Sequence, residues 1–202
     1  MPDPADRFRL LFVCTGNICR SAVAERLARR GLLQRLGPDA PVDVASAGTE
    51  GLAGHPMDAE ALRALQELGG DADGFLARRL SLQHTNDVDL VLTATRAHRA
   101  AVARLAPLLM RRTFTLREFD RLAAEVDITA LPRRAGGIAR MRAAVDEAAE
   151  VRGLTSPTTV ELDDVVDPYR RSSEVHAATA AQIAAALERP LDLLAAAYSR
   201  RV

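Results

Sequence analysis

Short apolar runs alternate with amphipathic stretches along most of this chain, and the alternation predicts strands and helices in turn. Arg9 to Val13 is a compact apolar run that suits a strand buried on both faces. It ends in a polar turn holding Gly16 and Asn17. Ser21 to Leu36 then places Ala22, Leu27, Ala28 and Leu32 at helical spacings, and Gly37-Pro38 stops it. Val42 to Ala45 reads as a second strand and Ser46 to Gly51 as a loop. Asp58 to Leu68 reads as a helix with Leu62, Leu65 and Leu68 on one side, ended by Gly69-Gly70. Val88 to Leu92 predicts a third buried strand, Arg96 to Leu105 a helix, and Arg112 to Leu116 a fourth strand. The stretch Glu118 to Glu161 holds Pro132, Gly136-Gly137, a helical segment near Ile138 to Glu150, then Gly153 and Pro157. It reads as an insertion within a single domain, 1–202. A loop from Asp163 to Arg171 follows, then an Ala-rich helix from near Ser173, interrupted or kinked at Pro190.

Strands alternating with helices imply an α/β fold: a parallel sheet with right-handed crossovers and helices on both faces. Ligands of such sheets bind outside the carboxyl ends of the strands. The first strand ends at Val13, which puts Cys14 where a ligand is expected.

Composition narrows the chemistry. A formal net charge of zero gives no global electrostatic case for nucleic acid or an anionic membrane. No apolar run is long enough for a membrane span. The start of the chain carries Asp3 and Asp6 and has no apolar signal core, so a cytoplasmic protein is expected. All 27 residues in the Lys and Arg count are arginine. That excludes a lysine Schiff base and the lysine of a Walker loop. Cys14 and Cys19 are the only cysteines, too few for a four-cysteine zinc site, and His55, His84, His98 and His176 are scattered, so all four read as surface or structural residues.

The segment Cys14-Thr15-Gly16-Asn17-Ile18-Cys19-Arg20-Ser21 carries the chemistry. A cysteine followed six positions later by an arginine is weak alone; chance supplies one roughly a quarter of the time in so arginine-rich a chain. The Gly16-Asn17 pair and the strand–loop–helix setting make it specific. Backbone N–H groups from Thr15 to Arg20 would face inward, and the following helix adds its positive end, so a phosphate dianion needs no metal or cofactor there. The Arg20 fork would hold two phosphoryl oxygens. The same positive setting favours the thiolate form of Cys14, a nucleophile. Ser21 can hydrogen-bond to Cys14 and help the thiolate leave. Asn17 is expected in the left-handed conformation that asparagine tolerates. Read as ordinary packing, a buried cysteine and a surface arginine would leave the Gly-Asn turn unexplained. For Cys19 two roles stand open, a disulfide with Cys14 that protects the nucleophile or packing at the helix start; the closeness of the two thiols favours the first.

A proton donor is also required, and Asp163, Asp164 and Asp167 rank equally on position.

These residues resemble the low-molecular-weight protein tyrosine phosphatase family. The resemblance rests on Val13 through Ser21, Ala24-Glu25, Ser46-Ala47-Gly48-Thr49, Ala77-Arg78-Arg79-Leu80-Ser81 and Val166-Asp167-Pro168-Tyr169, which occur in family order. It implies a four-stranded parallel sheet, a phosphotyrosine protein substrate, and hydrolysis through a phosphocysteine intermediate. It singles out Asp167 as general acid and base, with Pro168 stiffening its loop and Tyr169 lining the cleft. Three positions depart from the family pattern. Leu52 stands where an aromatic wall residue is common, Arg170 replaces a frequent second tyrosine, and Phe75 replaces a frequent histidine. A cleft so altered should grip a bare phenyl ring less tightly, and Arg170 would favour acidic substrates. An arsenate reductase on the same scaffold is the alternative. Its thioredoxin-linked form needs further cysteines downstream, which leaves only a version using a small external thiol. A module that merely binds phosphate would have no need of a thiolate. The oligomeric state is not legible.

Overall fold

The computed structural model describes residues 7–132, 135–153 and 160–199. Asp3, Asp6 and Pro157 lie outside the described residues. The sheet has four parallel strands, β1 (Phe8–Cys14), β2 (Val42–Gly48), β3 (Leu90–Thr93) and β4 (Thr113–Thr115), in the order β2-β1-β3-β4. Around it run α1 (Arg20–Leu36), α2 (Ala59–Glu67), the single turn α3 (Leu82–Thr85), α4 (Arg96–Leu105), α5 (Leu116–Ala123), α6 (Gly137–Val151) and α7 (Ser173–Ser199). The expected α/β class, strand count and parallel sense are all present.

Period-two alternation in β1 divides the core. Leu10, Phe12 and Cys14 face one side and join Phe114, Phe119, Met141, Leu187 and Leu194 in the larger cluster under α1, α5, α6 and α7. Leu11 and Val13 face the other side and pack with Val91 and Val102, the latter from α4. Central β1 is therefore buried on both faces, as its unbroken apolar run requires.

Local chemistry explains where the elements stop. Gly37, at φ 84°, closes α1 and donates its N–H to Leu33 O at 2.9 Å. Thr115 and Glu118 form a reciprocal capping box that starts α5 directly after β4, so the run from Glu118 onward begins inside a core helix bearing Phe119 and Leu122. Met141, Ala144 and Val145 of α6 are buried too. Several expectations on element ends change: Arg112 and Leu116, read as strand, belong to a 3₁₀ helix and to α5, and β3 starts at Leu90 rather than Val88. Residues 46–48, read as loop, continue β2 because each pairs with β1 up to Cys14–Gly48. Pro190 does not interrupt α7, which runs on through it with Pro190 and Leu191 both buried. Among the described residues, no helix is long and apolar enough to cross a membrane.

Candidate active site

The loop between β1 and α1 crosses the carboxyl end of the sheet, and its conformation depends on Asn17. That residue is fully buried at φ 57°, the left-handed region that asparagine accepts more readily than most residues. Its amide then reaches three partners. Asn17 Nδ2 donates to Ser21 Oγ at 2.9 Å and to Ser46 Oγ at 2.8 Å, and Oδ1 accepts from Arg78 N at 2.7 Å. Ser46 in turn donates to Glu25 Oε2 at 2.5 Å, and Glu25, 1% exposed, pairs with Arg29 at 2.9 Å and Arg78 at 3.1 Å. The loop thus rests on a buried polar network shared by β1, α1, β2 and the segment before α3.

Gly48 shows how tightly β2 approaches. A Cβ there would lie 2.2 Å from the Thr15 carbonyl oxygen and 2.9 Å from Asn17 N. The chain after Gly48 then laces onto the loop: Thr49 N, Glu50 N and Leu52 N donate to the carbonyls of Cys14, Thr15 and Gly16 at 2.9, 3.0 and 3.0 Å. Those bonds engage the loop's carbonyls from the β2 side, while the Asn17 N–H turns to the Cys14 sulfur.

Cys14, 2% exposed, lies at the base. Its Sγ is 2.9 Å from Ser21 Oγ and accepts the Asn17 N–H at 3.3 Å. Arg20 begins α1 and is itself buried, with Nη1 donating to Val165 O at 3.4 Å. Its Nη2 lies 2.8 Å from Asp167 Oδ2 and 3.4 Å from Thr15 Oγ1. The late loop therefore comes back to the phosphate-loop arginine across a long span of sequence.

The three candidate acids are no longer equivalent. Asp163 is buried and pairs with Arg121 at 2.8 Å, and Asp164 accepts the N–H of Arg96 at 2.8 Å, at the start of α4. Only Asp167 of the three meets Arg20, with about half of its side chain exposed. Val165 N donates to Ala94 O at 2.8 Å and moors this loop at the end of β3. Tyr169 and Leu52 are both well exposed, and the Arg170 guanidinium stacks over the Tyr169 ring at 5.2 Å. Phe75 is buried, with the Arg26 guanidinium over its ring, and belongs to the core rather than to the cleft.

His98, read from sequence as surface or structural, is buried beside the loop. Its Nε2 lies 2.9 Å from Thr15 Oγ1 and its Nδ1 2.7 Å from Thr95 Oγ1. Thr95 Oγ1 already accepts the His98 backbone N–H, so its hydroxyl proton is available to Nδ1 and the Nε2 proton to Thr15. Burial, reinforced by the Arg20 cation, pushes His98 down to about 4, which leaves the ring neutral near pH 7. The signal that could have found it is the Thr-x-x-His spacing just past the third strand, where a helix cap and a ligand end coincide.

Cys19, the residue before α1, is free and buried like Cys14. Burial, with Asp58 beside it, pushes its thiol well above the ordinary range. Cys19, Asp58 and His176 gather at one point and are the residues suited to hold a metal ion among those described. A groove of about 1160 Å³ lies at the opposite, amino-terminal end of β3 between Leu82, Asp89, Pro107 and Arg142 and contains none of the loop's groups.

A thiol at the end of the central strand, in a loop whose carbonyls are engaged by the chain after β2 and beside a buried guanidinium, is the arrangement expected of a cysteine-bearing anion site on a doubly wound sheet. The model of the low molecular weight phosphotyrosine protein phosphatase family matches residues 9–150, and the chain belongs to that family. The low molecular weight protein-tyrosine-phosphatase Etp of Escherichia coli K12 is 40% identical over 98 residues, which cover 48% of this chain and 62% of that protein. The chain thus spans about three fifths of that relative's length. Among solved structures, the low molecular weight protein tyrosine phosphatase from T. tengcongensis superposes with a TM-score of 0.64 at 27% identity, covering 92% of this chain and 98% of that one. The YwlE arginine phosphatase from Geobacillus stearothermophilus has the same fold, with a TM-score of 0.64, 24% identity, and coverage of 92% and 91%.

Proposed function

We propose that this chain hydrolyses phosphotyrosine on proteins or related aryl phosphates through a phosphocysteine intermediate. The observation that carries the reading is the convergence on one loop of the Cys14 thiol, the buried Arg20 guanidinium and the Asp167 carboxylate. In the first step the Cys14 thiolate attacks phosphorus. The S–P bond forms as the P–O bond to the aryl group breaks, and Asp167 gives its proton to the departing phenolate. Arg20 and the inward N–H groups hold the equatorial oxygens as charge redistributes. In the second step Asp167 takes a proton from water, whose oxygen attacks phosphorus. The S–P bond breaks and the sulfur leaves as a thiolate, stabilised by Ser21 and the Asn17 N–H. Arg20 and Asp167 must separate partly for this, since the fork is needed by phosphate and the carboxyl by the leaving oxygen.

Thr15, Gly16, Ile18 and Cys19 contribute backbone N–H groups to the cradle in this reading, and Leu52 and Tyr169 flank the substrate ring. A cleft with one aromatic wall and Arg170 beside it suits a phosphotyrosine in an acidic segment. The relatives named above are phosphatases, so the arsenate alternative gains no support from them. The test compares wild type and Cys14→Ser on phosphotyrosine peptides, phosphoserine peptides, phosphoarginine and arsenate. The expected result is hydrolysis of phosphotyrosine alone, with turnover abolished and peptide binding kept in Cys14→Ser. Preferred hydrolysis of phosphoarginine would overturn the substrate, and undiminished turnover by Cys14→Ser would overturn the mechanism.

A further inference from the structure

Behind the phosphate loop, side chains from the starts of three helices meet. Cys19 precedes α1, Asp58 caps α2 and His176 lies near the start of α7, and one ligand atom of each is within 4.8 Å of the other two. Cys19 is 5% and His176 3% exposed. His176 Nδ1 stands 3.8 Å from Asp58 Oδ1 and has no hydrogen-bond partner. Buried polar atoms are rarely left without a partner, and this one is aimed at a thiol and a carboxylate.

We propose that Cys19, Asp58 and His176 form a binding site for a zinc ion. Sulfur, imidazole nitrogen and carboxylate oxygen are the donors zinc takes, at about 2.0 to 2.3 Å each. Ligands at those lengths sit about 3.3 to 3.8 Å apart around a tetrahedral ion, so the cluster needs to contract by about 1 Å. Side-chain rotation covers that distance. The surrounding charges favour a cation: Asp58 and Asp167 act on Cys19 with a negative field, opposed by Arg20. Asp58 is fixed by accepting the N–H groups of Glu60 and Ala61 at 3.0 and 3.2 Å. On binding, the Cys19 thiol releases its proton to solvent. The thiolate, His176 Nδ1 and the Asp58 carboxylate each donate an electron pair, and a water arriving past the partly exposed Asp58 completes four-coordination. The ion would tie the starts of α1, α2 and α7 together. Neither Cys14 nor Asp167 is a ligand, and Cys19 offers the metal its sulfur and the cradle only its backbone N–H, so the zinc proposal does not rest on the phosphatase reading.

The test uses the full chain, reduced and stripped of metal, titrated with Co²⁺ and then with Zn²⁺. Cys14→Ser removes the competing thiol. The expected result is that this variant keeps a one-to-one thiolate-to-cobalt charge-transfer band with tetrahedral visible bands, both bleached by Zn²⁺. Adding Cys19→Ser should abolish the band, and adding either His176→Phe or His176→Gln should weaken binding at least tenfold, with metal-free melting confirming that each variant folds. Zn²⁺ at about a hundredfold excess over its Kd should raise the melting midpoint of Cys14→Ser by about 5 to 10 °C. Loss of the band in Cys14→Ser alone, a one-to-one band that both His176 variants leave untouched, or no binding at all would overturn the proposal.

Discussion

Replacing Asn17 by alanine tests whether the phosphate loop is held by one side chain, and the geometry sets the size of the effect. The amide makes three hydrogen bonds, to Ser21, Ser46 and Arg78 N. Ser46 keeps its bond to Glu25 and Ser21 its contact with Cys14, so each loses only an incoming donor, about 0.5 to 1 kcal/mol apiece. Arg78 N loses its acceptor outright, costing about 1 to 3 kcal/mol. Alanine at φ 57° adds about 1 kcal/mol of backbone strain that asparagine largely avoids. The sum is about 3 to 6 kcal/mol, a large share of the 5 to 15 kcal/mol typical of a domain. Asn17→Gly loses the same hydrogen bonds but meets no strain, and should be about 1 kcal/mol more stable than the alanine variant. Denaturant unfolding at constant m-value measures both, and the KM for p-nitrophenyl phosphate reports the loop. If Asn17→Ala and Asn17→Gly both unfold within about 1 kcal/mol of wild type, the account of the loop is wrong.

Three other outcomes follow from the same contacts. Asp167→Asn should slow hydrolysis by about 10² to 10⁴, more for phenyl phosphate than for p-nitrophenyl phosphate, whose better leaving group needs less help from an acid; equal losses on the two substrates would count against proton donation. His98 sits at about 4 against 6.5 when unfolded, so its share of stability is complete above pH 6.5 and is lost as the pH falls toward 4. Unfolding curves at pH 7 and pH 4.5 should therefore converge for wild type and His98→Asn, and a constant gap would refute the buried neutral ring. Gly48→Ala places a methyl against the Thr15 carbonyl and should cost about 1 to 3 kcal/mol or more, with a raised KM for phosphate esters; a normal KM would mean that β2 does not set the loop's shape.

Much of the fold was legible because its signals are local. The β1 run is apolar on both faces because both faces are covered, and Gly37-Pro38 ends α1 where a left-handed residue is needed. Asn17 was readable for the same reason, as a residue type matched to one backbone region. Misplaced ends have tertiary causes. Residues 46–48 look like loop because Ser46-Ala47-Gly48 carries no strand composition, yet pairing with β1 holds them extended. Pro190 should disturb a helix by local rules, but packing on both sides of it keeps α7 going. The surroundings of the histidines were illegible for a related reason. The Thr-x-x-His spacing marks His98 at a helix start, but nothing near His98 or His176 in sequence names Thr15 or Cys19 as its neighbour, because those contacts exist only in the folded chain.

The three late aspartates show where sequence and geometry divide the work. By position alone they are interchangeable, and the choice of Asp167 rested on its resemblance to a family motif. Partners separate them. Asp163 is committed to Arg121, and its burial makes a second role costly. Asp164 holds the first turn of α4, and that same capping fixes the segment Thr95 to His98 against Thr15. Asp167 is half exposed and its ion-pair partner is the arginine that a phosphate would claim. On the proposed mechanism a carboxylate in that position is released when an anion arrives at the loop and is held when the anion leaves. The proposed acid, which must then take up a proton, is freed only when there is a phosphoryl group to work on, and this predicts that phosphate or vanadate will raise the mobility of residues 166–170 while ordering Arg20. Vanadate that left the Arg20–Asp167 pair intact in a bound structure would remove this coupling and leave Asp167 without a way to reach the leaving group.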